Sequence, residues 1–487
     1  MTEKENDSTS SLVDAINNVK PSGFHYKTWV ISGLGFFTDA YDLFIIGVVT
    51  GLLPLAGWAK LTTFQSSLLD STALIAAVVG ASIFGRLLDK LGRKAIYGTE
   101  LILLVIGAVG SAFLTPVNGV YVLIAWRFLL GVGIGGDYAT SSVIMSEYSN
   151  TKNRGRFVGM VFSMQSLGLV AGPLIGLAFM TSGIAPAIIW KLLLFIGAIP
   201  AASVIYARRK MPEPPKYTAI VKGRVSKAAS DLKNYAGINV DVSSGQYSRK
   251  EHLSLKQIFT DRRLLALIIG TAGAWFFMDW ALYGNSIMSN TMLGFLVPSS
   301  VTGMAHLIRT TEYTALIFGV AAFPGYWIAT FTLDRIGRKT IQLIGFGMMA
   351  LSFGILGLIP ALTTAGYVVQ FLAIYGISYF FIEFGPNVTT FVYPPEVFPV
   401  SARGTGAGIA SAGGKTGAFI GTFLNLFIEG VIHENGLFLV LAVFAAIGFA
   451  LTFFLLPEPK RRSIEEVSNE SYYLNSGNTP VSATAKR

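Results

Sequence analysis

Apolar blocks of roughly 20 or more residues recur along the whole chain, each long enough to cross a hydrocarbon core of about 30 Å as a helix rising about 1.5 Å per residue. Twelve can be drawn, at about 28–51, 68–88, 95–115, 120–147, 156–181, 187–207, 264–289, 312–333, 340–361, 366–391, 403–428 and 436–457. A backbone in lipid must satisfy its own N–H and C=O groups, so blocks of this length predict helices. Barrel strands would alternate over about 10 residues, and these blocks do not. Of the 487 residues, 52% are hydrophobic and 13% charged, against about a quarter charged in a soluble domain. The expected fold class is an all-α membrane protein.

The eleven connections differ in charge. "GRLLDKLGRK" (85–94), "NTKNRGR" (150–156) and "LDRIGRK" (333–339) are basic, and the stretches near 115–119, 182–186 and 361–365 carry no charge. Such alternation places the basic side and both termini in the cytoplasm, and accounts for the net charge of +10 without a nucleic-acid partner. The expected organisation is a cytoplasmic N-terminal segment (1–27), a first helical half (28–207), a basic linker (208–262), a second half (263–457) and a polar tail (458–487), with linker and tail partly disordered. No apolar region resembling a signal peptide opens the chain. There is no cysteine, and the four histidines are scattered. No metal or cofactor is expected. With no nucleotide-binding loop or nucleophile–base pair in view, neither is an enzyme.

The halves repeat. "FFTD" (36–39) returns as "FFMD" (276–279), the basic loop at 85–94 as 329–339, and "SEYSNTKNRG" (146–155) as "PEVFPVSARG" (395–404), about 240 to 250 residues apart. Two six-helix bundles repeated in the same orientation are the plan of the major facilitator transporters, whose substrate site lies between the halves at the bilayer midplane. The string Gly85-x-Leu87-x-Asp89-Lys90-x-Gly92-Arg93-Lys94 resembles that superfamily's signature loop. Its second copy, ending in Asp334 and Arg338, has Thr330 and Thr332 for Gly85 and Leu87, which makes close packing less assured. Glu147 precedes Arg154, and Glu396 precedes Arg403, by seven residues. These charges at helix ends near water serve topology, or form a latch of Asp89 with Arg154 and Asp334 with Arg403; exposed pairs are worth under about 1 kcal/mol.

Ionisable groups inside the apolar blocks cost about 2.5–3.5 kcal/mol each, which marks them as functional candidates. They are Asp39, Asp42, Glu100, Arg127, Asp137, Asp279, Glu383 and Lys415. Trp275, Asp279 and Tyr283 stack on one helix face at i, i+4, i+8. Such a stripe is a pocket wall, or else an interfacial aromatic belt that its depth disfavours. Asp39 and Asp42 share a face at i, i+3. Two close carboxylates in low dielectric do not both ionise readily, which suits a proton carrier; alternatively one bonds a hydroxyl such as Thr38. Asp137 and Tyr138 point about 100° apart. The glycines of "GVGIGG" (131–136) permit close packing. Glu100 and Glu383 receive no role.

"GFFTDAYDLF" (35–44), "GVGIGGDYATSSVIMSEY" (131–148), "GTAGAWFFMDWALYGNSI" (270–287), "PNVTTFVYPPEVFP" (386–399) and "RGTGAGIASAGGKTGA" (403–418) resemble the phosphate:proton symporters of the major facilitator superfamily, over nearly all twelve blocks. One departure is Ala139-Thr140, where that family usually has Pro-Leu. The resemblance implies a plasma-membrane carrier, working as a monomer, that imports phosphate with protons. It implies a phosphate site of Tyr138, Gln165, Trp275, Asp279, Tyr283, Asn387 and Lys415. It also implies a proton route of Asp39 and Asp137 with Arg127 beside them, Asp42 being near enough in the motif to stand for Asp39. The chemistry agrees: near neutral pH phosphate keeps a proton that Asp279 can accept in a hydrogen bond, whereas sulfate would face a bare carboxylate. In the empty carrier Lys415 is expected to pair with Asp279 across the gap between the bundles. "MPEPPK" (211–216) and "LPEPKRRSIEEV" (456–467) are reminiscent of sugar porters, so a carrier of sugar or organic anion is the alternative. A non-transporting nutrient receptor ranks lower.

Overall fold

A computed structural model describes residues 11–240, 252–287 and 289–475. Its first half holds α1 (Gly23–Leu52), α2 (Thr63–Leu91), α3 (Thr99–Phe113), α4 (Val120–Tyr148), α5 (Arg154–Thr181) and α6, the last in two pieces, Pro186–Ile196 and Ala198–Lys210. The second half holds α7 (Arg262–Ser286), then α8, running from Gly303–Ile317 through a π-turn (Phe318–Ala322) into Phe323–Ile336. Next come α9 (Arg338–Leu358) and α10, which joins Val368–Ile382 to Val388–Val397 through the π-turn Glu383–Asn387. The final helical run, Arg403–Leu455, breaks at His433, whose φ of 58° is left-handed. Unbroken, 53 residues would extend about 80 Å, far beyond any bilayer. The break makes a hairpin of α11 (403–432) and α12 (434–455). Twelve spans therefore stand among the described residues, and α8 begins nine residues before its apolar block. Its first turns carry His306, Arg309 and Glu312, with Arg309 and Glu312 paired at 3.0 Å in the open. A helix needs its backbone satisfied, and apolarity marks only the part in lipid.

The halves meet along α2 against α11 and α5 against α8. A Cβ on Gly85 would lie 2.6 Å from the Gly404 carbonyl oxygen, so the backbones touch. At the repeat-related contact Thr330 takes the place of Gly85, yet packing is as close. Gly159 on α5 supplies the room, since a Cβ there would lie 2.9 Å from Thr330 Oγ1. Ser163 and Thr330 also share a hydrogen bond of 2.6 Å. The small residue has moved to the partner helix, which corrects the expectation of looser packing. The "GVGIGG" glycines pack as expected: Cβ atoms on Gly131 and Gly135 would meet the carbonyl oxygens of Ala73 and Ala77 on α2 at 2.2 and 2.0 Å.

Linker and tail are more ordered than their polarity predicts. Short helices occupy Pro215–Ile220, Val225–Ala236, Leu255–Thr260, Ile464–Val467 and Glu470–Asn475, while 241–251 and 476–487 lie outside the described residues. An apolar stripe (Val225, Ala229, Leu232) buries itself against Leu12 and Ile16 of the N-terminal segment. Lys216 Nζ donates to Asn17 Oδ1 (2.7 Å) and Glu465 Oε1 (3.0 Å), tying segment, linker and tail together. Burial would raise Glu465, but the Lys216 ammonium and the Asn17 amide outweigh it and hold the carboxyl down at about 2. Burial pushes Glu470 the other way, up to about 7, although Arg403 Nη2 lies 3.9 Å away and the Val400 N–H donates to it at 2.8 Å. A raised value in the docked tail means that Glu470's contribution is present below its free value and lost as pH rises through about 7. Protease cleavage of the tail should therefore quicken as pH rises from about 4.5 to about 7, and Glu470→Gln should flatten that dependence. Glu465 titrates too low to interfere.

Candidate substrate site and the closed rim

The glycine stripe of α11 lets it lie directly on α7: Cβ atoms on Gly417 and Gly421 would come within 2.0 and 2.5 Å of the carbonyl oxygens of Phe276 and Trp280. That contact aims Lys415 at the α7 stripe. Lys415 Nζ donates to Asp279 Oδ2 (3.0 Å) and to the Tyr283 hydroxyl (2.8 Å), and lies 4.2 and 4.1 Å from the ring centres of Tyr138 and Tyr283. Both charges therefore sit in the second half, and the pair does not reach across the gap as expected. The α7–α11 backbone contact makes it a neighbour pair within one bundle.

It is the tyrosines and amides that cross the gap. Tyr138 on α4 shares a hydrogen bond with Tyr283 on α7 (3.1 Å), and Gln165 on α5 donates to Tyr138. Tyr326 on α8 donates to Gln165 Oε1 (3.3 Å), and Asn387 on α10 donates to Tyr326 (2.7 Å) and to Glu383. Trp275 packs beside Tyr138, their ring centres 6.1 Å apart. All seven residues expected around the substrate thus converge, each no more than 2% exposed. Tyr326, which the sequence did not single out, and Glu383, a candidate left without a role, join them. The π-turn that presents Glu383 and Asn387 follows from Pro386, which has no N–H to donate, and from Gly385, whose φ and ψ of −100° and −110° leave the helical region. Aromatic side chains close the site on both faces. Phe36, Phe162 and Phe391 cluster on the side of the basic rim, with centroids 4.5 to 5.7 Å apart. Phe44 stacks on Tyr283 (5.1 Å) and meets Phe318 (6.0 Å) on the far side.

Asp39, Asp42, Arg127 and Asp137 do not form one group. Asp137 is held by Arg208, a residue expected in the linker but buried near the end of α6. Arg208 gives Nη1 and Nη2 to the two Asp137 oxygens (2.7 and 2.9 Å), Nη1 also to Glu100 Oε1 (2.9 Å), and Nη2 and Nε to the carbonyls of Ser32 (2.8 Å) and Ile31 (3.3 Å). All five guanidinium donors are engaged. Among the described residues neither oxygen of Asp39 nor the Thr38 hydroxyl has a hydrogen-bond partner, so the alternative bond between them does not form. Arg127, expected beside Asp39 and Asp137, instead donates to the Asp42 main-chain oxygen at 2.7 Å. Asp42 turns toward α6, where a Cβ on Gly197 would lie 2.1 Å from its Oδ1. The apolar count alone ends the sixth block at 207 and leaves Arg208 to the linker, whereas the helix continues to Lys210 and holds Arg208 in its last turn.

At the basic rim the charges are buried, not exposed, and pair differently from the expected latch. Arg93 on the turn before α3 and Arg403 on α11 share Glu147 of α4, at 2.7 and 3.0 Å. Arg338 on α9 and Arg154 on α5 share Glu396 of α10, at 2.6 and 2.8 Å. Each glutamate bridges the halves. Asp89 and Asp334 act instead as caps across the same interface. Asp89 accepts from the N–H groups of Gly404 (2.9 Å) and Thr405 (2.7 Å) at the start of α11, and Asp334 from those of Gly155 (3.1 Å) and Arg156 (2.8 Å) at the start of α5. The first N–H groups of a helix lack partners and favour an anion, so a carboxylate takes them in preference to a distant arginine. The two sugar-porter-like strings have the same task twice: Glu213 accepts from the N–H groups of Arg93 and Lys94, and Glu458 from those of Arg338 and Lys339.

A family model described as "Sugar (and other) transporter" matches residues 20–470. The chain is 36% identical to the probable inorganic phosphate transporter 1-12 of Oryza sativa subsp. japonica, covering 96% of this chain and 95% of that one. It is 35% identical to the low affinity inorganic phosphate transporter 5 of Petunia hybrida, covering 94% of each. The fold is similar to that of the proton:xylose symporter XylE, with a TM-score of 0.76 at 19% identity, over 92% of this chain and 99% of that one. Family match, fold and relatives agree that this chain belongs to the sugar (and other) transporter family of the major facilitator superfamily, alongside inorganic phosphate transporters.

Proposed function

We propose that the protein imports inorganic phosphate together with protons across the plasma membrane by alternating access, with both termini in the cytoplasm. The observation that carries this reading is the buried Lys415–Asp279 pair ringed by Tyr138, Gln165, Tyr283 and Asn387. An ammonium with hydroxyl and amide donors suits a tetrahedral oxyanion, and the carboxylate suits its remaining proton. A sugar needs no buried ammonium. Phosphate entering would take Lys415 from Asp279 and leave that carboxylate to accept a phosphate hydroxyl. The names and coverage of the relatives point the same way. In this reading the 28–207 and 263–457 bundles are the halves that rock, the linker joins them, and the shared glutamates Glu147 and Glu396 with the caps Asp89 and Asp334 are the contacts released when the basic rim opens. Asp39, with no hydrogen-bond partner among the described residues, is the proton carrier, and Asp137 stays bound to Arg208.

The test is uptake of radioactive phosphate into proteoliposomes, with titration calorimetry on purified protein. A protonophore should abolish uphill uptake, phosphate and arsenate should compete, and sulfate should compete poorly. Asp279→Asn makes the pocket more positive, so simple attraction predicts tighter binding; reading of the proton predicts weaker binding at every pH. Equal competition by sulfate, or an Asp279→Asn variant that binds phosphate as well as the unaltered protein, would sink the proposal.

A further inference from the structure

Between α1, α2 and α4 lies a second buried ionic group that the substrate site does not use. Asp70 on α2 is 5% exposed, and its Oδ1 accepts from Thr50 Oγ1 on α1 at 2.5 Å. Arg127 on α4 is the cation that faces it; beyond the bond to the Asp42 carbonyl, its Nε and Nη1 have no partner among the described residues. Both Asp42 carboxylate oxygens and the Ser67 hydroxyl, one turn from Asp70, are likewise without partners among the described residues. The other helix packed on α2 is α11, whose ionisable residues beyond Arg403 are Lys415 and Glu429. Five orphaned polar atoms within three helices are more than a packed core tolerates, and they fit groups that exchange protons and hydrogen bonds in turn.

Depth orders these groups. Counting about 1.5 Å per residue from the rim opposite the basic one, Asp70 and Arg127 lie about 10 Å in, Asp42 about 15 Å, Asp39 about 20 Å and Asp137 about 26 Å. The carboxylates thus form a descending series that ends beside the substrate site. We propose that Asp70 is the outermost carboxylate of a proton inlet that leads from the far rim, past Arg127 and Asp42, to Asp39. This rests on the proton-coupled reading above. A proton from far-side water binds the Asp70 carboxylate and removes its field from Arg127; the proton then passes to Asp42 and on to Asp39, and Asp70 regains its charge. No other bond is made or broken.

The experiment uses the full-length protein in proteoliposomes and reads two rates: uptake driven by a pH gradient, and proton-independent phosphate counterflow. Asp70→Asn is expected to slow gradient-driven uptake by about an order of magnitude or more and to move its external pH profile. Counterflow should keep its normal rate, and Asp70→Glu should restore uptake. Thr50→Val, which removes the donor to Asp70 without changing charge, should move the same profile and provides the test if Asp70→Asn does not fold. An unchanged gradient-driven rate and profile would overturn the proposal. So would equal loss of uptake and counterflow, which marks Asp70 as a structural counter-ion. If the unaltered protein ignores a protonophore, the proton-coupled reading itself fails, and the inlet with it.

Discussion

Replacing Lys415 by alanine is expected to weaken phosphate binding by about two to three orders of magnitude, because it strands a buried carboxylate and removes the cation that meets the anion; losing one partner of a buried pair costs about 3–5 kcal/mol. Among the described residues Asp279 Oδ1 accepts no hydrogen bond, and with the ammonium gone the neutral Trp275 indole is the neighbouring donor left to it, which does not replace a charge. Tyr283 also loses the ammonium that anchors its hydroxyl. The bridge from Tyr283 to Tyr138, which joins the halves, should loosen. Calorimetry gives the affinity, and thermal unfolding separates folding from binding. A Lys415→Ala/Asp279→Ala double variant should melt closer to the unaltered protein than the single one, since no lone charge remains, yet still fail to bind. A single variant that binds phosphate within threefold of normal would remove Lys415 from the site.

The second large effect belongs to Arg208. Its guanidinium is the sole cation hydrogen-bonded to Asp137 and Glu100 among the described residues, and it stitches α6 to α1, α3 and α4. Arg208→Gln should leave two buried carboxylates without compensation. The loss of stability should be of the order of 3–5 kcal/mol, read as a fall in the unfolding midpoint of detergent-solubilised protein. Arg208→Gln/Asp137→Asn should recover much of that stability, because the charge most tightly held by Arg208 disappears with it. If the single variant melts like the unaltered protein, the five-donor arrangement does not carry the first bundle.

Bilayer physics made much of this molecule legible in advance. Twelve apolar blocks, the repeat of "FFTD" as "FFMD" and the alternation of basic with neutral loops follow from local rules of length, hydropathy and charge, which a one-dimensional string records. The α7 stripe was equally readable, because Trp275, Asp279 and Tyr283 follow helical periodicity. Pairings between helices were not. The expected latch of Asp89 with Arg154 and Asp334 with Arg403 does not form, because each arginine finds a glutamate on another helix: Arg403 with Glu147, Arg154 with Glu396. Asp89 and Asp334 became caps because packing brought unpaired helix starts against them. Arg208 and Asp70 escaped notice for a related reason. The first lies past the end of the apolar count and the second near the start of its block, so hydropathy placed both at a margin. Helix length and crossing set their depth instead, and only the tertiary arrangement turns a marginal charge into a buried one.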